Sequence, residues 1–134
     1  MIYYHLSTNP ELTELTPRVP ECAVGINEDI TTARICFAPT IEGCLSALQT
    51  LDGYFYVYCI TDEDKTIEIY HPASEEVCDQ KITGEVWVLK PVKVTCIGKI
   101  HSTDLHEAKE VFVKRYGKYE SCHFHKYDWH WCNN

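Results

Sequence analysis

The chain reads as an α+β domain, with a mixed, mainly antiparallel sheet of about six strands and two short helices. Three observations predict this class. Short apolar or alternating runs recur (IYYHLS, RICFA, YFYVYCI, TIEIY, EVWVL, VKVTCIGKI), bounded by Gly, Pro, Asn or Asp. Helical spacing appears in only two stretches, 41–50 and 104–116. The strands mostly follow one another instead of alternating with helices, which separates this class from a doubly wound parallel sheet.

At 134 residues the chain suits one domain spanning 1–134 with one core. A hydrophobic content of 45% with 12% aromatics excludes a disordered protein.

The first strand is expected at Ile2 to Ser7, stopped by Thr8-Asn9-Pro10. Residues 11–20 hold two prolines and little periodicity, so they read as a loop. Residues 23–32 are polar and acidic and read as a surface excursion. Arg34 to Ala38 is the central strand with which the others must pair. Its run Ile35-Cys36-Phe37 suits burial on both faces. Pro39 ends it, because proline has no N–H for the ladder. Thr40 is placed to cap a helix carrying Ile41, Cys44, Leu45 and Leu48 on one side. Such a strand-to-helix corner can hold an anion.

Tyr54 to Ile60 is the strongest strand, with Tyr54, Tyr56 and Tyr58 on one face and Phe55, Val57 and Cys59 on the other. After a turn at 62–65, Thr66 to Tyr70 alternates and is expected to return as its hairpin partner. Residues 71–81 form an acidic loop. Glu85 to Leu89 and Val92 to Ile100 are the last two strands, split by Lys90-Pro91. Asp104 and Glu107 open the second helix as a capping pair, and Gly117 closes it. The tail 118–134 is rich in aromatics and histidine and needs a surface to pack on.

A net charge of −8 argues against nucleic acid as the main partner, since phosphate binding leans on Lys and Arg. The first residues lack a basic n-region and a long apolar run, and no segment approaches the ~20 apolar residues of a membrane span. A cytoplasmic location without membrane contact is expected. The eight cysteines are then expected to be free thiols.

Three groupings could carry chemistry. His5, followed by Ser7, can offer a ring nitrogen to a ligand. Its plainer reading is a half-buried histidine satisfied by a backbone carbonyl. Cys122, His123, His125, His130 and Cys132 lie within eleven residues but match no zinc-finger spacing, and strand alternation would split them between two faces. No metal is expected. A cysteine nucleophile, Cys36 or Cys78 with His5 or His71 as base, has no local signature to support it.

The motif order resembles the ADP-ribosyltransferase fold, in particular its small rifamycin-modifying and poly-ADP-ribose-polymerase-like branch. That branch opens on Y-H-G-[ST], which stands here as Tyr4-His5-Leu6-Ser7. Its I-Y-F-[AS] motif stands as Ile35-Cys36-Phe37-Ala38, followed by a helix. Its Y-I-Y-V strand stands as Phe55-Tyr56-Val57-Tyr58, and a late G-E-x-W strand begins at Gly84. The resemblance covers residues 2–100 and leaves 101–134 outside it. Two positions depart from the pattern: Leu6 replaces a glycine and Cys36 replaces the stacking tyrosine.

The resemblance implies cleavage of the nicotinamide–ribose bond of NAD. His5 would hold the ribose, and Glu85 would be the acid, with Glu76 or Asp79 as substitutes. The cofactor-binding set would be Tyr4, Ser7, Cys36, Phe37, Thr40 and Tyr56, with Phe37, Tyr54 or Tyr56 stacking in place of the missing tyrosine. Two functions follow. One is NAD-dependent ADP-ribosyl transfer or NAD hydrolysis on an unknown protein or small-molecule acceptor. The other is a catalytically inert interaction protein on the same fold, such as a phage-type or host-defence antagonist.

Overall fold

The computed structural model describes residues 1–20, 29–44, 53–77 and 80–101. Among the described residues eight strands appear in order: β1 (Ile2–Ser7), β2 (Glu14–Leu15), β3 (Ile35–Phe37), β4 (Tyr54–Thr61), β5 (Ile69–Tyr70), β6 (Val86–Val88), β7 (Val92–Lys93) and β8 (Thr95–His101). They form three small sheets, β1-β4-β8, β2-β7 and β3-β6-β5. Every pairing is antiparallel.

This corrects the α+β expectation of one mixed sheet with two helices. Among the described residues, helical geometry is confined to two four-residue turns, Ile41–Cys44 and Gln80–Thr83. The rest of the expected 41–50 helix and the whole 104–116 helix lie outside the described residues. Splitting the sheet lets short strands face one another across a core that a single sheet would leave half uncovered.

The expected hairpin is also corrected. β4 lies between β1 and β8, while β5 pairs with β6. After β4, the Asp64 carboxylate accepts hydrogen bonds from the Thr66 N–H (3.0 Å) and hydroxyl (2.6 Å). The chain then reaches β6, where Ile69 faces Val88 and Tyr70 faces Trp87. Residues 11–20, read as loop, include β2, with Leu15 opposite Val92.

The principal core gathers Tyr3, Tyr58 and Ile60 from β1 and β4, Ile35 and Phe37 from β3, and Val86 and Val88 from β6. Leu15, Val92 and Val94 complete it. Side chains of this size each contribute about 1.5–3 kcal/mol on burial. Leu6, Phe55, Val57 and Ile100 alternate to the opposite face and are buried as well. The helical turn with Ile41 and Cys44, both buried, packs against β1.

A backbone bridge joins β1 to β3. Tyr4 and Ala38 exchange two backbone hydrogen bonds, Tyr4 N–H to Ala38 O at 2.7 Å and Ala38 N–H to Tyr4 O at 3.0 Å. This bridge makes β3 the neighbour of β1. The β3–β6 register sets Phe37 opposite Val86. One step further, Ala38 comes opposite Glu85, so Tyr4, Ala38 and Glu85 align across three successive strands.

Candidate functional site

Residues 34, 36 and 38 present their backbone groups to one edge of β3, because peptide groups alternate sides along a strand. Arg34 is paired there with Arg18, by two hydrogen bonds of 3.0 Å, and Ala38 with Tyr4. Between them, the Cys36 carbonyl meets a side chain: His5 Nδ1 lies 2.8 Å away. The two chains flanking this edge part around the imidazole, and His5 occupies the fork.

A carbonyl only accepts, so Nδ1 carries the proton. Burial lowers the pKa of His5 below the ordinary histidine value; the Cys36 hydrogen bond opposes this, and the positive charge of Arg18 adds to it. The ring is therefore neutral at pH 7, and Nε2 is an acceptor. This is the half-buried, carbonyl-bonded histidine of the plainer sequence reading, and the same bond fixes the tautomer that a hydroxyl ligand requires.

Phe37 lies beside His5, with ring centroids 5.6 Å apart and planes tilted by 54°. It is only 1% exposed, so its faces are already committed to the core. The Cys36 side chain is half-buried and sits on the other face of β3, opposite Trp87. Leu6 is buried. Ser7 Oγ accepts the Asn9 N–H at 3.1 Å and begins the turn after β1. Tyr56, half-buried, stands opposite Ser7. Thr40 Oγ1 accepts the Gly43 N–H at 3.1 Å, the capping bond its position predicts. Tyr4 carries the bridge, and its carbonyl also accepts from the Cys44 thiol at 3.2 Å.

Glu85 is buried, and its Oε2 accepts the Trp87 indole N–H at 2.8 Å. It is two strands from His5, a backbone span of about 9–10 Å. Strand alternation sets Glu85, Trp87 and Cys36 on one face and Phe37 and Val86 on the other. His5, next to Tyr4 on β1, lies on the Phe37 face against the Phe37 ring, so the Glu85 side chain is on the opposite face of the sheet from it. The substitute acid Glu76 is engaged elsewhere: its carboxylate accepts the Tyr70 hydroxyl at 2.7 Å and the Ala73 N–H at 3.1 Å. Asp79 lies outside the described residues, as do Cys78 and the Cys122–Cys132 cluster. Tyr54 is exposed at the end of β4, 5.0 Å from the His101 ring and 4.7 Å below the Lys99 ammonium.

Arg18 is a site residue that the sequence reading missed. It stands next along the β3 edge from the fork, is exposed, and its charge reaches His5. A signal was present, since Arg18 is the sole Lys or Arg in residues 1–33.

No protein-family profile matches the chain, and no curated protein or solved structure does. Among the described residues no group of three or more His, Cys, Asp or Glu could hold a metal ion. Among them, too, no helix is long and apolar enough to cross a membrane.

Proposed function

We propose that the fork binds NAD and that the chain transfers ADP-ribose from it to an acceptor, or to water. The observation that carries this reading is the His5 imidazole held neutral on the Cys36 carbonyl, at the place where the Tyr4–Ala38 bridge joins β1 to β3. In the resembled family the positions of His5, Cys36 and Glu85 hold the ribose-binding histidine, the stacking residue and the acid.

In the proposed reaction the C1′–N bond to nicotinamide breaks, and nicotinamide leaves with the electron pair. His5 Nε2 accepts a hydrogen bond from a ribose hydroxyl and fixes the ring. By the resemblance, Glu85 is the acid that offsets the positive charge developing on the ribose, an electrostatic contribution. The acceptor oxygen or nitrogen then bonds to C1′ and loses its proton. Arg18 supplies the counter-charge for the pyrophosphate. NAD is abundant in the cytoplasm, the location this reading favours.

One observation favours the second reading, an inert interaction protein. The ring nearest His5, Phe37, is closed to a ligand, and a thiol stands where the family stacks nicotinamide. Proton NMR of NAD incubated with the protein separates the two. Free nicotinamide, lost with His5→Ala and with Glu85→Gln, is the expected result. Intact NAD after prolonged incubation would favour the inert reading.

A further inference from the structure

We infer that Trp87 is a positioning residue for Glu85, and that Arg34 and Tyr70 hold Trp87 in place to do so. The inference rests on the ADP-ribosyl-transfer reading and names what sets its carboxylate.

A glutamate side chain has three rotatable bonds, so a carboxylate that must meet developing charge needs an external constraint. Here the constraint comes from two residues further along the chain, on β6. Glu85 Oε2 accepts the Trp87 indole N–H at 2.8 Å, and both side chains are buried, Trp87 completely. An indole N–H can only donate, and its direction is fixed by the ring plane. Whatever holds the ring thereby aims the carboxylate.

The ring is held by two contacts. The Arg34 guanidinium lies 4.3 Å from its centroid, and the Tyr70 ring stacks on it at 5.5 Å with planes 23° apart. Arg34 is itself immobilised, since Nη1 donates to the Asp29 carbonyl at 2.7 Å and the Thr32 carbonyl at 3.0 Å. Tyr70 is tethered through its hydroxyl to Glu76. Burying a cation over a tryptophan is costly unless it is hydrogen-bonded, and the two Nη1 bonds offset part of that cost. A core whose only task was packing would be served equally by an aliphatic side chain at position 34. The charged, hydrogen-bonded residue fixes orientation, which an aliphatic one would not.

The test replaces Trp87 in the full chain with β-(3-benzothienyl)alanine, an isostere with sulfur in place of the N–H, alongside Trp87→Phe. Turnover is read as nicotinamide release and affinity by NAD calorimetry. The expected result is a Kd within about twofold of native and a kcat lower by about 10- to 100-fold, the loss typical when a partner that orients a functional ligand is removed. The acid limb of the rate profile should also move to higher pH, because the charged carboxylate has lost a donor. Native turnover with an unchanged kcat in the isostere overturns this inference and leaves the enzyme reading standing. No nicotinamide from the native protein overturns both. Should the variants fold poorly, the indole N–H resonance of Trp87 is followed in Glu85→Gln; an unmoved resonance overturns the inference.

Discussion

His5 Nδ1 and the Cys36 carbonyl oxygen are 2.8 Å apart, and that contact fills the position along the β3 edge where a neighbouring strand would otherwise pair. One side chain therefore closes a gap in the backbone hydrogen bonding and presents an acceptor nitrogen at the same place.

The first prediction concerns pH. The folded state lowers the His5 pKa below 6.5, chiefly by burial. The unfolded chain then binds more protons than the native one between the folded value and 6.5. The stability contributed by neutral His5 is full above pH 6.5 and is lost as pH falls toward the folded value. Urea midpoints measured from pH 7.5 to 5 should decline more steeply in the native protein than in His5→Gln. Parallel profiles would contradict the burial.

Arg18 has two measurable effects. Arg18→Gln removes a charge that disfavours the imidazolium, so the His5 pKa rises, seen in the ring-proton NMR shifts. It should also weaken NAD binding by roughly fivefold, the scale of an exposed charge pair near 1 kcal/mol, and flatten the salt dependence of Kd.

Much of the strand inventory was legible. The Tyr54–Thr61 run, the Ile2–Ser7 run and the Ile35–Phe37 run show their strands through local composition, and Thr40 shows its capping role through the residues beside it. Strand partnership was not legible. The alternation of Ile67 and Ile69 says that one face is buried without saying against which strand, and a turn after β4 fits a hairpin as well as a departure to β6. β2 was hidden because two residues are too few for a period. At the site, His5 and Glu85 were named from motif order. Arg18 was not, because its proximity to His5 is created by a pairing between Arg18 and Arg34 that no local pattern encodes.

Tyr58 ties the segment after β1 to the core. Its buried hydroxyl donates to the Asn9 carbonyl at 2.6 Å and accepts the Leu12 N–H at 3.1 Å. Tyr58→Phe leaves both backbone groups without this partner, at a cost of about 1–3 kcal/mol by chemical denaturation.

Gly84 sets the backbone entering Glu85. Its φ is +68°, and a Cβ there would lie 2.8 Å from Pro39 Cγ. Gly84→Ala should cost about 1–3 kcal/mol through the left-handed backbone alone. It should also lower nicotinamide release, because the carboxylate shifts with its strand.

The most direct test of the account is a calorimetric titration of NAD into the native protein and into His5→Gln. Saturable one-site binding to the native chain, weakened at least tenfold in His5→Gln at pH 7.5, is the predicted result. Absence of binding to the native chain, or equal affinity in the variant, would contradict the claim that the His5 fork is the ligand site.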